Sequence, residues 1–394
     1  MARVKIPVGP QHPALKEPEN FTLTLDGEIV VDADVRIGYN HRGIEYLIER
    51  RNYTQILYLV ERICGICSYT HVQNYVQVVE EVLGLQIPER ANYIRTLFLE
   101  LERIHSHMLW VGVAGHEIGF DTFFMYTWQD RELVQDLLEM ISGNRVNYAI
   151  ATIGGARRDV SEEHRRKVLE AMDYLEQRMR YYLDLAGKEK TILKRAEGVG
   201  ILKTEIARRL CAVGPTGRAS GISSDIRRDD PYAAYAETPF DVITSDGCDV
   251  LARIVVRVLE IIESIKIVRY LMQHLPPGEI RVKAPRKVPE GEAFSHTEAP
   301  RGEDMHYLRS NGTEKPERYK VRAPTLANML SMAEMLRGGY LADVPIVVAA
   351  IDPCMACMDR VLVLRDGREE GEILSGESLR QYGIKWYAER GWKQ

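Results

Sequence analysis

At 394 residues, with 45 % apolar and 28 % charged residues and a formal charge of −5, the chain reads as an ordinary globular protein with a large core. Its slightly acidic balance offers no polyanion-binding surface, which excludes nucleic acid as a partner. No apolar signal core follows Met1-Ala2-Arg3-Val4-Lys5, and the longest apolar run, 344–351, falls far short of the ~20 residues of a spanning helix, so a membrane would be supplied by another subunit.

Residues 21–38 alternate apolar and polar side chains around Asp26-Gly27, the pattern of a β-hairpin. From 43 the period becomes helical, with apolar residues at i, i+3 and i+4 over 43–63, 68–84, 89–115, 130–148, 161–193, 203–210, 248–274 and 324–338. Pro88, Gly154-Gly155, Pro215-Thr216-Gly217 and Pro276-Pro277-Gly278 punctuate these segments. Residues 276–323, rich in Pro, Gly and charge, predict loops and short strands, and 361–374 predicts a small β unit turned at Asp366-Gly367. There is no internal repeat or low-complexity tract. The expected fold class is mainly α, a helical bundle with small β segments at the N- and C-terminal ends, in one domain. Its parts are a hairpin region (1–42), a helical core (43–275), a loop-rich region that closes a site (276–360) and a C-terminal extension (361–394).

Six cysteines without a secretion signal predict reduced thiols and metal or redox chemistry. Cys211 and Cys248 stand alone and are expected to be buried small hydrophobes. The other four form two pairs, Arg62-Ile63-Cys64-Gly65-Ile66-Cys67 followed by His71, and Asp352-Pro353-Cys354-Met355-Ala356-Cys357 followed by Arg360. Four thiolates suit zinc, iron–sulfur or nickel-type centres. A zinc ribbon spaces its pairs by ~15–20 residues; here Cys67 and Cys354 are 287 positions apart, so a single site must be closed by the tertiary fold. Spacing alone leaves both a buried metal centre and structural cysteines open.

The flanking residues add a resemblance. R-x-C-G-x-C-x-x-x-H near the start with D-P-C-x-x-C-x-x-R near the end resembles the paired motifs of nickel–iron hydrogenase large subunits, in that family's order. Gly9-Pro10-Gln11-His12-Pro13, Asn40-His41-Arg42-Gly43-Ile44-Glu45, Glu100-Leu101-Glu102-Arg103-Ile104-His105-Ser106-His107 and Gly214-Pro215-Thr216-Gly217-Arg218-Ala219-Ser220-Gly221, with Asp225 and Arg227, are similar to the group shared by energy-converting membrane-bound hydrogenases and the 49-kDa-type subunit of complex I. The complex I subunits of this type lack the four cysteines. Their presence here points to the hydrogenase side.

The resemblance implies a nickel–iron (Ni-Fe) centre, with Cys64 and Cys354 as terminal nickel ligands, Cys67 and Cys357 bridging nickel to iron, and carbonyl and cyanide on the iron supplied by maturation enzymes. Glu298-Ala299-Pro300-Arg301-Gly302 is similar to the segment whose arginine overhangs the open metal face, which makes Arg301 catalytic. Glu45 is the expected proton relay, and Arg62, His71, Asp352 and Arg360 are expected around the ligands. His12 reads as a loop residue near a small-subunit interface, and of His105 and His107 one is expected to face the core and hydrogen-bond. The implied partners are an iron–sulfur small subunit with a 4Fe-4S cluster, membrane ion-translocating subunits and ferredoxin as electron donor, on the cytoplasmic face of the cell membrane. Hydrogenase large subunits are commonly trimmed after the residue matching Arg360, and 34 residues follow it here. A retained tail goes with a nickel-free alternative, a sulfane sulfur reductase or complex I-like subunit fed by a partner's cluster.

Overall fold

The computed structural model describes residues 3–358, 360–361 and 374–391. The chain opens with three antiparallel strands, β1 (Val4–Val8), β2 (Asn20–Asp26) and β3 (Ile29–Arg36), in the order β1-β2-β3. Phe21, Leu23 and Leu25 alternate inward from β2, as the pleat requires, and Gly27 makes the turn to β3 at φ 63°. The expected hairpin is present; β1 adds a strand to it.

Two short helices follow, α1 (Ile44–Ile48) and α2 (Tyr53–Val60), then the long α3 (Ser68–Leu83), α4 (Glu89–Glu117) and α5 (Asp121–Ser142). A small hairpin, β4 (Ala151–Thr152) and β5 (Gly155–Ala156), leads into α6 (Glu162–Lys188) and α7 (Lys190–Ala196). After α8 (Thr204–Arg209), α9 (Gly214–Arg218) and α10 (Ile226–Asp229) comes the buried α11 (Val250–Gln273). A second antiparallel sheet, β6 (Gly291–Ala299), β7 (Gly302–Ser310) and β8 (Pro316–Arg322), precedes α12 (Pro324–Leu336), α13 (Val344–Ala349) and the exposed α14 (Gly376–Glu389). Helix α4 is central: α5 and α11 flank it, α11 also packs on α6, and α3 lies against β6 and β7. The fold is the expected mainly helical one.

Several expected boundaries shift for local reasons. The segment 43–63 breaks where Asn52 caps α2 in a capping box with Gln55. The helix expected over 130–148 runs from Asp121 and stops at Gly143 in the left-handed conformation, leaving 143–148 as loop. The segment 161–193 divides at Glu189, whose carboxylate caps Thr191. The larger correction lies in 276–323, which holds the β6-β7-β8 sheet in place of loops and short strands. Its buried face mixes Ser295, Thr297, Asp304, His306 and Ser310 with Leu308, Tyr319 and Val321, so polar residues interrupt the hydrophobic alternation that marks a strand. Most of the β unit expected over 361–374 lies outside the described residues. Cys211 is exposed and Cys248 partly so, contrary to the expected burial. Both sit at turns beside helix ends with φ of 53° and 62°, and turn geometry sets their exposure.

Candidate metal centre

The four paired cysteines meet. Cys64 and Cys67 precede α3, with Cys67 as its N-cap residue; Cys354 and Cys357 lie on the 3-10 turn Met355–Cys357 that follows α13. All four are buried. Cys354 Sγ lies 3.5 Å from Cys64 Sγ and 2.6 Å from Cys357 Sγ, and the sulfur of Cys357 also falls within a 4.8 Å cluster with Cys67 and His71. The amides of Ile66 and Cys67 donate to Cys64 Sγ at 3.3 and 3.1 Å, and the positive end of α3 adds to that field. Burial pushes the thiols up, but at Cys64 the hydrogen bonds from Cys354, Cys357 and Cys67 and the charge of Arg301 outweigh it and hold the thiol well below its usual range. Four soft donors converging in a dry interior, with cations beside them, fit thiophilic metals and suit a two-metal thiolate-bridged group.

The loops carrying the cysteines are tied by Arg42, which the sequence did not single out. One guanidinium nitrogen donates to Arg62 O at 2.7 Å, and the other to Ile63 O at 2.7 Å and Ala356 O at 2.8 Å, joining the backbones of both cysteine motifs. Its place in the Asn40–Glu45 stretch was the available signal.

Arg301 stands at the tip of the β6–β7 hairpin and is 1 % exposed. Its Nε donates to Asp352 O at 2.7 Å, Nη2 to Asp352 Oδ1 at 2.8 Å and Nη1 to Ser106 Oγ at 3.3 Å. Gly214 permits this arrangement: at φ 65°, a Cβ there would stand 2.4 Å from Arg301 O and from Gly302 Cα. The hairpin is held from behind by buried ion pairs. Arg218 binds Glu298 and Glu260, each at 2.7 Å, while His107 Nε2 lies 2.8 Å from Glu260 and Arg227 pairs with Asp225 at 2.6 Å. Burial pushes the Glu260 carboxyl up, but Arg218 and His107 more than reverse that and hold it far below the usual range.

Of the residues expected around the ligands, a ring nitrogen of His71 lies within 4.8 Å of the Cys67 and Cys357 sulfurs, and Asp352 lines a cavity with Cys64 and Cys354. His71 Nδ1 lies 3.1 Å from Asp304 Oδ2 and 3.0 Å from His306 Nε2. Burial lowers the imidazole, yet the Asp304 carboxylate raises it above its usual value. Arg62 is exposed and turned to Glu61 at 3.1 Å and Tyr58 O at 2.7 Å, so only its carbonyl serves the site. Arg360 binds Glu45 at 2.7 Å and Val321 O at 3.0 Å, and Glu45 also takes Lys320 at 3.1 Å and the Val321 amide at 2.9 Å. His105 and His107 are both buried and both hydrogen-bonded, where one was expected; His105 Nε2 meets Tyr148 OH at 2.8 Å and Ile66 O at 3.1 Å. His12 is an exposed loop residue whose Nδ1 accepts from the Ala14 amide at 3.2 Å.

A cavity of about 260 Å³ opens onto Cys64, Cys354 and Arg301, walled by apolar side chains such as Leu15, Leu109 and Val113. Glu17 lines it too, accepting from the Ala356 amide at 3.0 Å. Burial, and the Cys64 thiolate, raise the Glu17 carboxyl above its usual range. Two residues on, the buried Glu19 is pushed up to about 7 by burial. Sequence reasoning missed both, because the 14–20 segment reads as a polar loop.

The nickel-dependent hydrogenase family matches residues 42–111, and the family described as respiratory-chain NADH dehydrogenase, 49 Kd subunit, matches 117–288 and 282–360. The chain is 44 % identical to the membrane-bound hydrogenase subunit alpha of Pyrococcus furiosus over 97 % of its own length and 93 % of that protein's. It is 39 % identical to an NADH-quinone oxidoreductase subunit of a Dehalococcoides mccartyi strain, over 90 % of this chain and 97 % of the relative. Among solved structures, a chain of the membrane-bound sulfane sulfur reductase, an archaeal respiratory membrane complex, superposes with a TM-score of 0.86 at 33 % identity, covering 91 % of this chain and 98 % of that one. The chain belongs to the oxidoreductase family of membrane-bound nickel–iron hydrogenase large subunits and their relatives, the 49 kDa subunits of complex I.

Proposed function

We propose that this chain is the catalytic subunit of a membrane-bound hydrogenase complex, reducing protons to H2 or running the reverse, at a nickel–iron centre held by Cys64, Cys67, Cys354 and Cys357. The convergence of four buried thiols from opposite ends of the chain carries this reading. When bound, the centre supplies the two-electron interconversion of protons and H2. The chain's own residues do the rest. Arg301, fixed by Asp352 and Ser106, holds a positive charge and N–H donors at the cavity wall beside Cys64 and Cys354. The apolar walls admit a small gas molecule and restrict bulk water. Glu17 Oε takes or returns a proton between the thiolates and the cavity. We assign the relay to Glu17 over Glu45, because Glu45 is bound by Arg360, Lys320 and the Val321 amide. Glu45 then anchors the segment leaving Cys357, up to the Arg360–Val361 bond where maturation would remove the extension.

The relatives' names support a setting as well as a chemistry. They are subunits of membrane complexes, which suits an iron–sulfur small subunit, ion-translocating membrane subunits and a ferredoxin donor on the cytoplasmic face. The likeness to the sulfane sulfur reductase favours one second reading, a nickel-free centre that passes a partner's electrons to sulfur. Metal analysis of the purified complex separates the two. About one nickel per chain upholds the hydrogenase; full iron–sulfur content without nickel overturns it.

A further inference from the structure

Two arginines of α11 touch neither the thiolates nor the cavity. Arg253 and Arg257 stand one helical turn apart and are both 0 % exposed. Arg253 ends on the carbonyls of Gly200 and Cys248, at 2.8 and 3.1 Å. Arg257 reaches only Arg253 O of its own helix, at 3.2 Å, and its Nε and Nη2 have no acceptor among the described residues. Burying a guanidinium in that state is costly, so a specific contact must offset it.

That contact is Trp110 of α4, whose ring centroid lies 3.9 Å from Arg257 Cζ. Trp110 Nε1 donates to Ala349 O at 2.6 Å, and the amide of Asp352 donates to the same carbonyl at 2.8 Å. Asp352 has a φ of 55°, a left-handed backbone that a non-glycine residue keeps only when its surroundings hold it. From there it carries Arg301 on two hydrogen bonds. We propose that Arg257 and Trp110 form a positioning brace: the stacked guanidinium fixes the indole, the indole fixes the Ala349–Asp352 turn, and the turn aims Arg301 at the thiolates. The orphaned Asp352 Oδ2 and Arg257 Nη2 are of opposite character, acceptor and donor.

This inference rests on the nickel–iron reading, and its test keeps the two apart. Arg257→Met, Arg257→Lys and Trp110→Phe are made in the native complex and read for nickel content, for the infrared bands of the iron's diatomic ligands and for the midpoint potential of the centre. The expected result is wild-type nickel with displaced bands and potential in Arg257→Met and Trp110→Phe, largely restored in Arg257→Lys. Nickel-loaded Arg257→Met and Trp110→Phe with wild-type bands and potential would refute the brace. If Arg257→Met does not fold, Trp110→Phe decides by the same readings. If the wild-type complex holds no nickel, the hydrogenase reading fails, and alkylation of Cys64 and Cys354 in the metal-free chain decides the brace through Arg257→Met, since Arg257 does not line the cavity as Trp110 does: several-fold faster labelling supports it, and unchanged rates overturn it.

Discussion

Two glutamates near the candidate centre differ in what surrounds them, and that difference assigns their work. Glu17 takes backbone donors at Ala356 and Met355 and faces the cavity shared with Cys64 and Arg301, so it can gain and lose a proton without breaking an ion pair. Glu45 is bound by two cations and an amide. Glu17→Gln is therefore expected to lower turnover roughly 100-fold with nickel retained, whereas Glu45→Gln should weaken nickel retention with little effect per nickel bound. Hydrogen–deuterium exchange activity, normalised to nickel content, checks both; equal behaviour of the two variants would refute the assignment. Arg301→Lys keeps the charge but loses the planar fork held by Asp352, and should cost about 100-fold in turnover. Normal turnover in that variant would remove Arg301 from the chemistry. The cysteines, Arg301, Asp352 and His71 were legible because their motifs carry them at fixed spacing. Arg42 and Glu17 were not, since Arg42 acts through backbone carbonyls of both cysteine loops and Glu17 through the Ala356 amide, and such partners leave no mark on spacing. Arg62 misled for the converse reason: adjacency to Cys64 says nothing of which way a side chain turns.

At the level of elements, the helices announced themselves by period, while the β6-β7-β8 sheet stayed hidden because polar residues satisfied by Asn74, His71 and Tyr319 interrupt its inner face. That sheet positions the site, since its first hairpin carries Arg301, and the hairpin closes only because α9 begins with Gly214 against it. Gly214→Ala combines a left-handed backbone with a clash against Arg301 O, and should lower stability by about 2–4 kcal/mol. Thermal unfolding measures this, and a wild-type midpoint would show that the hairpin can move aside freely. The start of α3 makes a second testable joint. Glu102 of α4 accepts from the amides of Tyr69 and Thr70, at 2.6 and 2.9 Å, and burial pushes its carboxyl up to about 8 from an ordinary 4.5. Between those values the folded chain holds a proton that the unfolded chain has lost. Its stability should then fall as pH rises, by about 1.4 kcal/mol per pH unit. Below the lower value both states are protonated and the effect vanishes; above the upper one it is complete. Glu102→Gln removes the titration, so its stability relative to wild type should rise between pH 5 and pH 8, read by denaturant unfolding at the two pH values. A pH-independent difference would place the carboxyl at an ordinary value.

For the whole molecule, what the centre consumes decides what the partners must supply. Every cluster of three or more ligand-type side chains close enough to share a metal ion among the described residues belongs to the thiol site or to the His71, Asp304 and His306 group beside it, and Cys211 and Cys248 stand outside both. No helix among the described residues is long and apolar enough to cross a membrane. A redox centre sealed in the interior must still exchange electrons over a short distance, and the described residues hold no second thiolate set to carry them. Under the proposed function the electrons would come from a cluster held by another chain, seated close to the cysteine loops, and any ion movement would be done by further subunits with spanning helices. Purification of the native complex from detergent-solubilised membranes tests both points together. The expected outcome is that the chain co-purifies with an iron–sulfur subunit and with integral membrane subunits, and that the iron–sulfur paramagnetic signal is lost when the small subunit is removed. Recovery of the chain as a lone soluble protein that keeps an iron–sulfur signal of its own would overturn the partner assignment and the membrane setting alike.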